Sequence, residues 1–114
     1  MIIIPFIIKN NYNKYYQCGY GNGYVILPPG HRYYGVDYEH IECSVHGGLT
    51  FSKSVKDIKH TMFDFKSHNI EDGWVIGFDT CHYNDSLENF PKSRVIEEVM
   101  NLKKQMYQVK NKRN

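Results

Sequence analysis

"GWVIGFDTCHYND", residues 73–85, decides how the rest of the chain is read. Its first half, Trp74 to Phe78, is a continuous apolar run of strand length. A run that is apolar at every position has no solvent face, so 74–78 is expected at the centre of a sheet. Its second half changes character at once. Asp79, His82 and Asp85 are groups that bind ligands or move protons, with Thr80 and Cys81 among them. A central strand that ends this way puts chemistry at one end of the sheet.

Working outward, "SVHGGLTFS" (44–52) has the same design. Ile41, Cys43 and Val45 alternate with Glu42, Ser44 and His46, the period of a half-buried strand. Gly47-Gly48 turns it, and "LTFS" continues on a partner strand. Earlier, "GYVILP" (23–28) is a short strand stopped by Pro28-Pro29-Gly30, and residues 2–8 form an edge strand because Pro5 cannot donate to a ladder. Residues 10–23 read as a loop or hairpin connection, 31–40 as a segment with a single helical turn, and 53–72 as a polar excursion. Val95, Val99, Leu102 and Met106 recur at helical spacing, joined by Ile96 and Met100. Ser93 is the expected N-cap, with Glu97 and Glu98 early and lysines late, as the helix dipole prefers. The fold class is therefore α+β: a small, mostly antiparallel sheet covered by a C-terminal helix.

The chain has 114 residues, the size of one domain, 1–114, closed by a basic tail at 107–114. Its net charge of +2 gives no electrostatic case for a nucleic-acid polymer. After Glu98 there is no acid, while Lys103, Lys104, Lys110, Lys112 and Arg113 follow, a pattern that suits a solvated terminus. Ten tyrosines offer flat bodies with polar tips, suited to stacking sites and interfaces. Cys18, Cys43 and Cys81 are odd in number and lack CxxC spacing, which argues against a disulfide framework or zinc ribbon and for a reducing compartment. "MIIIPFII" lacks the charged start and cleavage site of a signal peptide and is too short to span a membrane. The expected location is cytoplasmic, with no membrane partner.

The candidate site is the pair of strand ends. If the two strands are neighbours, His46, His82 and Asp79 converge as a two-histidine, one-carboxylate set. That set works metal-free as an acid–base pair with Asp79 orienting an imidazole, or holds a divalent metal. No HExxH-type spacing supports the metal, so no cofactor is expected. Gly47 and Gly48 let the backbone approach a ligand and can point N–H groups at an anion, with Thr50 and Asp85 close by in sequence. Arg32, with Lys53, is the candidate phosphate clamp, and Tyr20, Tyr24 and Trp74 are candidate stacking faces. Each cluster alone also has a plain explanation: Gly-Gly makes tight turns, and Asp79 caps the turn after its strand. Cys81 reads as a small buried hydrophobe, and His31, His40, His60 and His68 as solvated.

Taken together, "GYVILPPGHRYYGVDYEHIECSVHGGLTFS", "GWVIGFDTCHYND" and a helix containing "VIEEVMNLKKQM" are similar to a family of short phage and prophage proteins. Its pattern joins His-Gly-Gly-Leu-Thr to Gly-Phe-Asp-x-x-His-x-x-Asp and a closing helix, and covers residues 19–106. The chain departs from it in its N-terminal strand and its longer 53–72 stretch. Small accessory phage proteins often counter host defence, one strategy being to sequester or cleave nucleotide second messengers such as cyclic dinucleotides or cyclic ADP-ribose derivatives. The resemblance thus implies a defence-evasion protein that binds, and as an enzyme cleaves, such a signal. The family pattern falls on His46, Gly47, Gly48, Thr50, Asp79, His82 and Asp85. The alternative is an interaction protein that inhibits a host protein directly. A dinucleotide-sized ligand is large for this chain, so a pocket shared by two copies, and hence a homodimer, is expected.

Overall fold

The computed structural model describes residues 2–11, 17–58 and 63–109. Four strands form one antiparallel sheet: β1 (Ile4–Lys9), β2 (Gly21–Leu27), β3 (Phe51–Ser54) and β4 (Trp74–Phe78). Their spatial order is β1-β2-β4-β3, so β4 is interior and the Pro5 strand is an edge, as the apolar run and the proline require. The one α-helix among the described residues, α1 (Lys92–Gln108), packs against β1 and β2. This is the α+β architecture expected from the sequence.

Alternation along the strands sorts the core into two faces. Val25, Leu27, Ile76 and Phe78 point to the helix and meet Val99, Leu102 and Met106. Phe6, Ile26 and Val75 point the other way and are covered by Val55, Phe65 and Ile70 from the excursion between β3 and β4. Both faces of β4 are therefore buried, which is why its sequence shows no polar alternation. Gly77 is the gap in that run for a steric reason: a Cβ there would overlap the Tyr24 ring across the strand pair. Short 3-10 turns occur at Tyr38–His40, Val55–Asp57 and Lys66–His68.

Four expectations are corrected here. Residues 41–45 form no strand. Their alternation is real, because Ile41 is buried and Cys43 and Val45 pack on the core, but they join no ladder, and the Ser44 backbone bonds to α1 instead. Ser44 N–H donates to Gln105 Oε1 at 2.8 Å, and Gln105 Nε2 returns a bond to Ser44 O at 2.8 Å. Ser93 lies inside α1, whose N-cap is Pro91, and Pro91 O accepts from the N–H groups of Arg94 and Val95. Cys18 and Cys81 are joined in a disulfide, with Cα atoms 4.3 Å apart. Cys81 is accordingly an exposed bridge residue and not a buried hydrophobe, and the cysteine argument for a reducing compartment lapses. Finally, β2 begins at Gly21, so part of the expected connection 10–23 is strand, paired Gly21 to Lys9.

No helix among the described residues is long and apolar enough to cross a membrane. Lys110, Lys112 and Arg113 of the basic tail, and His60, lie outside the described residues.

Candidate functional site

Antiparallel pairing fixes which residues share an end of the sheet. Gly23 faces Phe78 and Leu27 faces Trp74, so the chain leaving β4 emerges beside the start of β2. Thr50, just before β3, donates its N–H to Gly77 O at 2.9 Å. The two strand-end clusters, one after β4 and one before β3, therefore meet.

The segment after β4 is fastened at several points. Thr80 is fully buried and its hydroxyl donates to Gly21 O at 2.7 Å. Gly19 N–H donates to Thr80 O at 2.7 Å, Asn10 Nδ2 donates to Gly19 O at 2.9 Å, and the Cys18–Cys81 bridge ties the same two segments covalently. Asn84 then takes a left-handed conformation, φ +71°, which Asn tolerates better than most residues. That turn brings Asp85 back beneath His82, and Asp85 N–H bonds to His82 O at 2.9 Å.

Asp85 is the hub of the result. It is 5% exposed, yet its carboxylate accepts from His46 Nε2 at 2.9 Å, His82 Nδ1 at 3.0 Å and the His82 backbone N–H at 2.8 Å. Burial pushes its carboxyl up, but the His82 backbone bond and the two imidazole bonds together outweigh burial and hold it below the usual carboxylate value. An ionised carboxylate only accepts, so both rings must donate to it. His46 then carries hydrogen on Nε2 and His82 on Nδ1. The other nitrogen of His82 faces Asp79 Oδ1 at 3.2 Å, and the same oxygen accepts from Cys81 N–H at 3.2 Å. The two rings stand edge to face with centroids 5.2 Å apart.

Their surroundings are equally specific. His46 packs on the buried Phe90 ring at 4.0 Å, and its backbone N–H donates to Glu98 Oε1 of α1 at 2.8 Å. Gly47 adopts φ +71°, and a Cβ there would overlap the His82 ring. The Gly47 backbone is thus the wall against which His82 lies. Gly48, at φ +79°, spends its N–H on Val45 O at 2.9 Å, a turn bond that takes it out of any anion nest.

Of the sequence candidates, His46, Gly47, Gly48, Thr50, Asp79, His82 and Asp85 lie at this end, with Tyr20 next to it. The carboxylate roles differ from expectation: Asp85, not Asp79, bridges the histidines, and the two-histidine, one-carboxylate group whose ligand atoms lie within 4.8 Å of one another is His46, His82 and Asp85. Arg32 and Trp74 lie at the opposite end. Arg32 is exposed over the Tyr33 ring, and Trp74 Nε1–H is bonded to Val36 O at 3.0 Å. Tyr24 is committed to the face away from α1, stacked on Phe6 and edge-on to Phe51. His31 corrects the assignment of the remaining histidines to solvent. It is 2% exposed, its Nε2–H donates to Met106 O at 2.8 Å, and its Nδ1 accepts from Tyr33 N–H at 3.0 Å. His40 and His68 are exposed.

Residues that sequence reasoning missed supply positive charge at the right end. Lys9 and Lys92 lie 5.7 and 5.9 Å from the Tyr20 ring, Tyr20 N–H bonds to Phe90 O, and Arg94 lies 4.9 Å over the Phe90 ring. They come from the end of β1 and the start of α1, distant segments whose meeting no local pattern announces. No family model, no curated protein and no solved structure matches the chain.

Proposed function

We propose that this chain captures a phosphate-bearing nucleotide at the His46–Asp85–His82 end of the sheet and cleaves it there, in the setting that the phage-family resemblance implies: removal of a nucleotide immune signal inside an infected cell. The observation that carries the reading is the shared buried carboxylate. One acid that orients two imidazoles in opposite tautomers leaves His46 Nδ1 as an acceptor and His82 Nε2 facing a second acid. In phosphodiester hydrolysis His46 Nδ1 takes the proton of the attacking water. His82 enters the step as an imidazolium, with Nδ1–H on Asp85 and Nε2–H on Asp79, delivers its Nε2 proton to the leaving oxygen and ends as the neutral Nδ1–H tautomer. Lys9, Lys92 and Arg94 supply charge for the phosphate, and Tyr20, flanked by two ammonium groups, supplies the stacking face. Arg32 and Trp74, at the opposite end of the sheet, take no part.

Incubation with a panel of cyclic dinucleotides and cyclic ADP-ribose isomers, followed by heat release and analysis of the nucleotide, tests this directly. A linear product supports cleavage, intact messenger returned on heating reduces the function to capture, and depletion of none removes the reading.

A second reading has its own observation. Tyr83 is 94% exposed, and Leu87, Ile96, Met100 and Tyr107 are also exposed large apolar groups. Such side chains suit a second copy of the chain or a host protein that the chain inhibits. A mass near 27 kDa in light scattering, twice the 13.5 kDa chain, supports the homodimer. A host-protein inhibitor keeps its activity when His46 and His82 are both replaced by alanine, whereas the nucleotide reading requires its loss.

A further inference from the structure

We propose that His46 Nε2, His82 Nδ1 and the Asp85 carboxylate bind a first-row divalent transition ion, zinc foremost, with Asp79 holding His82 from behind. The argument starts from the three atoms that already face one another. His46 Nε2 is 2.9 Å and His82 Nδ1 3.0 Å from the Asp85 oxygens, and all three ligand atoms lie within 4.8 Å. Zinc–ligand bonds of about 2.0–2.1 Å in a tetrahedron place neighbouring ligand atoms about 3.3 Å apart. Two edges of that figure are formed to within a few tenths of an ångström, and small ring rotations close the third. Each N–H···O bond of the cluster is the place where an ion exchanges with a proton.

The donor set selects the ion. Two imidazole nitrogens and one carboxylate oxygen suit zinc and its first-row neighbours, whereas calcium and magnesium take oxygen cages. Three protein ligands leave a position open for water or a substrate oxygen, the pattern of catalytic zinc.

The residues around the cluster behave as supports of a metal site. With His82 ligating through Nδ1, its Nε2–H donates to Asp79 at 3.2 Å, the carboxylate–histidine arrangement that fixes ring and tautomer. The Gly47 backbone blocks the His82 ring on one side, the Phe90 ring covers His46, and Glu98 holds the His46 backbone. This inference does not rest on the nucleotide reading, since the ion is measured alone. With an ion bound, the chemistry available shifts from proton transfer between imidazoles to polarisation of a bound oxygen.

The test is a zinc titration of the full chain, made without a polyhistidine tag, by calorimetry and by elemental analysis after dialysis. We expect one zinc per chain, with proton release. His46→Gln and His82→Gln should each abolish stoichiometric binding. Asp79→Asn should keep it but weaken it by roughly 10–100-fold, the usual effect of losing an orienting carboxylate. A readout on the unaltered protein guards against misfolded variants: zinc should shift the imidazole NMR signals of His46 and His82 and leave those of His31, His40 and His68 in place. No retained zinc in the wild type, one-to-one binding that survives in the His46→Gln/His82→Gln double variant, or shifts confined to the other histidines would each overturn the inference. Turnover of a messenger without zinc binding ends this inference and leaves the nucleotide reading standing.

Discussion

At the end of the sheet where β2 stops and β4 starts, His31 is 2% exposed and spends both ring nitrogens on the backbone. At the other end, His46 and His82 keep 27% and 33% of their side chains accessible and share the buried acid Asp85. The same residue type is held in opposite ways. His31 clamps the chain leaving β2 to Met106 near the C-terminal end of α1, and its bonds are complete within the fold. His46 and His82 are held by carboxylates, which orient an imidazole without using up its chemistry. Tyrosine and tryptophan divide in the same way: Trp74 bonds to Val36 and Tyr24 packs with Phe6, while Tyr20 sits among lysines beside the histidine pair.

The largest effect expected belongs to the Asp85 end. The Cys18–Cys81 bridge closes a loop with a sequence separation of 63, so replacing both with serine should lower stability by about 2–4 kcal/mol in denaturant unfolding. Thiol titration of the unreduced, unfolded chain should find only Cys43; three free thiols would remove the bridge from the account. At the structural end, His31→Ala leaves a buried carbonyl and N–H unpaired and opens a cavity. It should cost about 2–3 kcal/mol, read from the denaturation midpoint. Gly47→Ala places a Cβ at φ +71° against the His82 ring, and a cost of about 1–2 kcal/mol is expected together with displaced His82 NMR signals. An unchanged His82 would mean that the ring does not lie on the Gly47 backbone.

Acid should separate the ends as well. The Asp85 carboxyl lies lower in the folded than in the unfolded chain. Its contribution is therefore present above the unfolded value of about 4 and is lost as pH falls through the folded value. Stability should drop across that window in the wild type and drop less in Asp85→Asn. The smallest effect is expected at Arg32: exposed and remote from the pair, its replacement by alanine should change stability by no more than about 0.5 kcal/mol and leave ligand binding intact.

What could be read from the sequence follows from what local patterns report. The apolar run 74–78 announced a strand buried on both faces, and Val95, Val99, Leu102 and Met106 announced the helix. The alternation at 41–45 reported burial correctly but not the partner of the backbone, because side-chain period is silent on whether an N–H meets a strand or a glutamine. The convergence of His46 with His82 was expected from two strand ends, but only His82 follows a strand; His46 reaches it through the Gly47-Gly48 turn that leads into β3. The role of Asp85 did not, since it depends on a left-handed Asn84 that folds the chain back, and proximity to the strand favoured Asp79. The disulfide joins cysteines far apart in sequence, and Lys9 and Lys92 meet around Tyr20 only after the chain has folded.

The proposed division between a structural and a working end is tested most directly by messenger consumption per folded molecule in two variants measured side by side. His31→Ala should melt earlier yet consume messenger at the wild-type rate, whereas His46→Ala/His82→Ala should remain folded and consume none. A double variant that is folded and still active, or an inactive His31→Ala that is fully folded, would contradict the assignment of function to the Asp85 end of the sheet.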